Sequence, residues 1–157
     1  MEVPLHAKVE QMLTEARVLI PGAQALLGFQ LAIVLTESFQ KLEPQLKSFH
    51  GAGLLLVCLS ILLLMAPAAY HRIVYSGEDS TQFHKVGSWL ITTSTLPLAL
   101  GLATDVFVVG TKIWTSTVAA LLVASFSLAF LVFAWHVVPL AARAMRKRHR
   151  RYDHLAA

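Results

Sequence analysis

The chain has 157 residues, 56% of them apolar and only 14% charged, with a mean hydropathy of +0.63 and a formal net charge of +4. Such a balance excludes an ordinary soluble domain, where about a quarter of residues are charged, and makes lipid the solvent for most of the exterior. So little sequence lies outside apolar runs that a separate catalytic domain has no room, and no enzyme is expected.

At the N-terminus Leu5, Val9, Met12, Leu13 and Ala16 recur at helical spacing among Glu2, Lys8, Glu10 and Glu15. The pattern predicts a short amphipathic helix lying on the membrane surface. Pro21 and Gly22 then mark a bend into a first span over 18–36, since a proline near a helix start removes an N–H that had no partner there. Glu10 and Glu15 beside Arg17, with no small-x-small site after the apolar run, predict a retained anchor and not a cleaved signal.

Further runs at 51–70, 86–104 and 113–142 bring the total to four, each at least 19 residues long. At about 1.5 Å per residue each can cross roughly 30 Å of hydrocarbon. Short connections at 38–50 and 71–85, the second with a turn-rich stretch at 76–80, predict antiparallel neighbours. The expected fold is all-α: a four-transmembrane-helix up-down-up-down bundle forming one domain over 1–142, with an N-terminal amphipathic interfacial helix and a basic C-terminal tail over 143–157. Ser116, Ala120 and Ala124, and likewise Ala99 and Ala103, are spaced four apart and predict packing seams. Cys58, the only cysteine, sits mid-span with no partner for a disulfide or a metal.

Lys8, Arg17, Arg72, Lys85, Arg143, Arg146, Lys147, Arg148, Arg150 and Arg151 fall on the side of the termini, against Lys41, Lys47 and Lys112 on the other, a ratio of ten to three. This predicts both termini in the cytoplasm. The block Arg143, Arg146, Lys147, Arg148, Arg150 and Arg151 follows Pro139 directly after a span, so it reads as an anchor on the anionic headgroups of membrane lipids. No aromatic or glycine pattern accompanies it to suggest nucleic acid.

Three sets of polar residues interrupt the apolar runs. Thr92-Thr93-Ser94-Thr95-Leu96-Pro97 lies mid-span, and Pro97 cannot donate to the Thr93 carbonyl, which predicts either a kink repaired by hydroxyls or an ion site on a broken helix. Glu37 and Asp105 each lie 20 residues beyond a basic marker, Arg17 and Lys85, and so share one membrane level. They form a proton or cation entry site if they converge, or interfacial pairs with Lys41 and Lys112 if they do not. Gln30, one heptad before Glu37, is expensive against lipid and is expected to face inward, as part of a polar path or as interhelical glue. Finally, His71, His84 and His136 fall near the inner face, where facing imidazoles could ligate haem or a metal, whereas His50 lies at the other end. His71 and His84 adjoin Arg72 and Lys85 and read better as interface residues, so no cofactor and no metal is expected.

The stretch Glu15-Ala16-Arg17-Val18-Leu19-Ile20-Pro21-Gly22-Ala23-Gln24-Ala25-Leu26-Leu27-Gly28-Phe29-Gln30, with Ala66-Pro67-Ala68-Ala69-Tyr70-His71-Arg72, resembles a family of small bacterial four-helix membrane proteins classed as a domain of unknown function. The likeness runs from about residue 10 to residue 140. It implies a bacterial inner-membrane location and the four-span fold. Some members carry a sodium:proton antiporter label, which implies transport. It also draws attention to a cap where Glu15 would face Arg72.

The sequence therefore supports a monovalent cation or proton transporter working through Gln30, Glu37, Thr93 and Asp105, in a homo-oligomer because four spans are few for a complete pathway. The competing expectation is an accessory or scaffold subunit of a larger membrane complex. A haem-bearing electron carrier is the third and weakest.

Overall fold

The computed structural model describes the backbone of residues 3–156 and the side chains of residues 3–148. Its elements, all helical, are α1 (Leu5–Val34), a short α2 (Glu37–Gln40), α3 (Pro44–Val74), α4 (Thr81–Ile113), α5 (Thr117–Val132), a π-helical turn at Phe133–Val137, and α6 (Val138–Ala156). Four helices are long and apolar enough to cross a membrane: Leu5–Val34, Pro44–Val74, Thr81–Ile113 and the combined Thr117–Arg148.

Side-chain hydroxyls set three of the helix starts. Thr36 accepts from the Phe39 amide at 3.2 Å, Ser80 from the Gln82 amide at 3.2 Å, and Ser116 from the Ala119 amide at 3.3 Å. Each satisfies a donor that the first helical turn leaves open. Pro44 opens α3, where a proline needs no N–H partner. After α3 the chain reverses through Ser76 at φ +50° and Gly77 at φ +90°, and the Gly77 amide returns to the His71 carbonyl at 3.3 Å.

The α3–α4 pair forms the centre, with α1 against both and α5 packed mainly on α4. Burial follows that order: the apolar windows of α3 and α4 are 33% and 28% buried, those of α1 and the last helix 11% each. The main core joins Val9, Met12, Ala16 and Ala23 of α1 to Val57, Ile61 and Leu64 of α3 and to Phe83 and Ile91 of α4. Of the small-residue rows, Ala99, Ala103, Ala120 and Ala124 are buried, while Ser116 is exposed at the start of α5.

Gly101 makes the α3–α4 approach possible. A Cβ there would stand 2.7 Å from Val57 Cγ2 and 3.1 Å from the Gly53 carbonyl oxygen. Because a backbone atom cannot swing aside, Gly101→Ala is expected to separate the two helices and destabilise the fold by about 1–3 kcal/mol. Thermal unfolding in detergent checks this; an unchanged midpoint would mean the helices are less tightly set.

One expectation is corrected. The N-terminal amphipathic stretch is not a separate surface helix bent at Pro21: α1 runs unbroken from Leu5 to Val34, with Pro21 inside it. Periodicity identified the apolar face, but that face is covered by Phe83 and Ile91 and not by lipid. Membrane helices tolerate an internal proline because neighbouring groups can take over the freed carbonyl. At the other terminus Pro139 does not end the helix. The Val138 amide reaches back five residues to the Phe133 carbonyl, and this widened turn precedes Pro139, whose ring would otherwise crowd the carbonyl of Trp135. Helix α6 then continues with Arg143, Arg146, Lys147 and Arg148 exposed. Arg150 and Arg151 lie outside the residues whose side chains are described.

Candidate functional site

Near the end of α1, the start of α3 and the end of α4, three polar side chains meet inside the apolar helices. Gln30 is 2% exposed, His50 is 4% exposed, and the Asp105 side chain is 17% exposed. Counting along the axis, Gln30 lies about 6 Å from the end of α1, His50 about 9 Å inside α3, and Asp105 about 12 Å from the end of α4. A carboxylate held that far into a membrane-spanning helix requires partners.

Gln30 supplies one. Its Nε2–H donates to Asp105 Oδ2 at 2.7 Å. The backbone carbonyl of Gln30 accepts from His50 Nε2 at 3.0 Å. A carbonyl has no proton to give, so this contact fixes the proton on Nε2 of His50. The other ring nitrogen, Nδ1, then stands 3.7 Å from Asp105 Oδ1, too long for a hydrogen bond. Gln30 Oε1 and Asp105 Oδ1 are both buried and neither has a hydrogen-bond partner among the described residues.

The surroundings hold this cluster in place. Gly53 lies one turn beyond His50, and a Cβ built on it would come within 3.3 Å of Thr104 and 3.5 Å of Asp105 Oδ1. On the far side α2 places Phe39 edge-on to the imidazole, ring centres 5.1 Å apart. Phe39 packs with Leu42 and Val108, with Val34, Leu46 and Phe107 around them, as an apolar lid over the polar group. The lid exists because Thr36 ends one helix and caps the next.

The same break explains why Glu37 does not join the site. Its relation to Gln30 assumed a helix continuing for a heptad, but α1 stops at Val34, and Glu37 opens α2 with its side chain 94% exposed and 3.8 Å from Lys41 Nζ. Thr93 is also apart, 12 residues or roughly 18 Å along α4 from Asp105. Around Pro97, Ser94 Oγ donates to the Ile91 carbonyl at 2.6 Å, Ser60 Oγ to the Ser94 carbonyl at 2.8 Å, and Thr95 Oγ1 to the Thr92 carbonyl at 2.7 Å. Helix α4 passes through that region unbroken.

The three inner histidines meet different partners. His136, inside the π-helical turn, lies with Nε2 3.0 Å from Thr95 Oγ1; the Thr95 proton is already committed to Thr92, so His136 donates. His71 stacks on Phe83 with ring centres 4.5 Å apart. His84 is half-buried and lines a small cavity with Lys8 and Glu15. Among the described residues no group of three or more His, Cys, Asp or Glu side chains converges on a point where a metal could sit. Nor does Glu15 reach Arg72; it accepts from Gln11 at 3.2 Å.

His6 Nδ1 donates to Asp79 Oδ2 at 2.6 Å, tying the start of α1 to the loop after α3. Helix α1 has 30 residues, about 45 Å, so its first turns extend beyond the hydrocarbon. The hydrogen bond to Asp79 first, and then the charge of Asp79, raise the His6 pKa above the ordinary imidazole value. A raised folded-state value means the tie is fully present below the unfolded pKa of about 6.5 and is lost as pH rises through the folded value. Hydrogen exchange in residues 75–80, corrected for intrinsic rates, is expected to speed up over that rise in the native protein and to become independent of it in Asp79→Asn. An identical pH profile in both proteins would contradict this.

His50 is the residue that sequence reasoning missed. The apolar run begins at 51, so His50 was assigned to the loop, whereas Pro44 already starts the helix. The signal that finds it is the row His50, Gly53, Val57, Ser60, Leu64 and Pro67, one buried face at helical spacing.

Four helices long and apolar enough to cross a membrane, three of which bring together a carboxylate, an amide and an imidazole, are compatible with a multi-pass helical membrane protein. The chain belongs to the family of unknown function DUF6328, whose model matches residues 5–139 and so includes all three side chains. No curated protein matches it, and no solved structure does.

Proposed function

We propose that this protein exchanges a proton or monovalent cation within the bacterial inner membrane, at the site formed by Gln30, His50 and Asp105. In this reading the helices run up-down-up-down, both termini are cytoplasmic, and the site lies toward the outer face, reached past the Phe39 lid. Arg143, Arg146, Lys147 and Arg148 rest against anionic headgroups. The protein has no enzymatic activity, and several copies assemble to complete a pathway that four spans alone are too few to enclose.

The observation that carries the reading is the part-buried Asp105–Gln30 pair, with two buried acceptor oxygens left unpartnered and His50 Nδ1 3.7 Å from one of them, Asp105 Oδ1. A purely structural amide–carboxylate contact needs neither. A proton moving between Asp105 and His50, or a cation bridging Asp105 Oδ1 and Gln30 Oε1, uses both.

Purified protein in liposomes under a pH or sodium gradient tests this. Gradient-driven flux in the wild type, retained in Glu37→Gln, is the expected result. Liposomes that show no flux under any gradient would overturn the proposal and favour an accessory subunit of a larger complex.

A further inference from the structure

At the other end of the molecule from Asp105, α1, the last turns of α3 and the loop after it line an open surface cavity of about 660 Å³. Leu13, Ala68 and Ala69 form an apolar side, while His71, Arg72 and Ser76 contribute polar groups. The two kinds of surface meet within one turn of α3.

The polar groups are poorly used by the protein itself. His71 Nε2 is buried without a hydrogen-bond partner. The nearest acid oxygen, Asp79 Oδ1, is 3.9 Å away, beyond hydrogen-bonding range, and Asp79 is already bonded to His6 through its other oxygen. Arg72 has no carboxylate within ion-pairing distance among the described residues. A guanidinium, an imidazole and a hydroxyl around one cavity are the donors that an oxyanion with several acceptor oxygens requires. A planar carboxylate would use Arg72 alone in bidentate fashion; a tetrahedral phosphate can use all three.

We infer that this cavity binds a phosphate ester, with Arg72 and His71 holding the phosphate oxygens, Ser76 adding a hydroxyl donor, and Leu13, Ala68 and Ala69 contacting the ester's apolar portion. Two sources share that chemistry: the headgroup of a phospholipid beside the spans, and a soluble phosphate. The inference does not depend on ion exchange at Asp105.

The test uses the full chain, delipidated in detergent, with the 15N ring signals of His71 as the readout. Dihexanoyl-phosphatidylglycerol, inorganic phosphate and dihexanoylglycerol are titrated separately. A saturable shift of the His71 signals with the phospholipid alone identifies a headgroup site, and a shift with inorganic phosphate as well identifies a soluble anion; both support the inference. Dihexanoylglycerol, which lacks phosphate, should give none. Arg72→Gln is expected to weaken binding about tenfold or more, since a hydrogen bond to a charged group is lost. Arg72→Lys should recover part of it, and Arg143→Gln on α6 should change nothing. Binding that survives Arg72→Gln and Ser76→Ala together, or no response to either phosphate probe, would overturn it.

Discussion

Asp105→Asn is expected to reduce ion or proton flux to the rate of protein-free liposomes while the protein stays folded. Asparagine keeps the shape of the side chain, and its Oδ1 can still accept from Gln30 Nε2, which lies 2.7 Å from the native carboxylate. What disappears is the group that takes up and releases a proton or attracts a cation. Stability should not suffer. The native carboxylate has a buried oxygen without a partner, and removing an imperfectly paired buried charge is expected to leave stability unchanged or raise it by about 1–3 kcal/mol. A more stable and inactive variant is the signature of a functional acid. Flux that persists at the wild-type level in Asp105→Asn would remove the carboxylate from the pathway.

Gln30→Leu should act in the opposite direction on stability. Leucine fills similar volume on α1 but cannot donate, so Asp105 loses its hydrogen-bonding partner at Oδ2 while remaining buried against α3. Leaving a buried charged group without its partner costs about 3 kcal/mol, well above the effect of most single substitutions. The backbone carbonyl that accepts from His50 is untouched by this change, so the loss isolates the amide. The double variant Gln30→Leu with Asp105→Leu is expected to recover most of the stability, since an apolar pair satisfies itself in the interior. If Gln30→Leu alone unfolds at the wild-type temperature, the amide does not support the acid. A double variant no better than Gln30→Leu would carry the same message.

Four apolar helices were legible from run length alone, because membrane thickness sets a length that few soluble segments reach. The inward position of Gln30 was also legible, since a side chain with four hydrogen-bonding sites cannot rest against lipid. Where the helices begin and end was not. The polar residues 44–50 continue α3 below its apolar run, and this hid His50. The stop at Val34, set by the Thr36 cap, turned Glu37 outward although its heptad spacing from Gln30 was sound. Both errors arise because hydropathy marks the part of a helix in hydrocarbon and is silent about polar turns at its ends. The pairing of Asp105 with α1 and α3 depends on contacts 75 and 55 residues apart in sequence, which no local pattern carries. The amphipathic stretch at the start of α1 carried a true signal of one apolar face, and only its partner, Phe83 and Ile91 in place of lipid, lay beyond reach.

The protonation of His50 tests the central claim most directly. Ring 15N spectra of the protein, with His50 assigned by substitution, report which nitrogen carries the proton. The account predicts a His50 ring with its proton on Nε2, held by the Gln30 carbonyl, and an Nδ1 signal that moves when Asp105 is replaced by Asn, because Nδ1 lies 3.7 Å from Asp105 Oδ1. A neutral His50 protonated on Nδ1 and bare on Nε2, or an Nδ1 signal unchanged by Asp105→Asn, would contradict it.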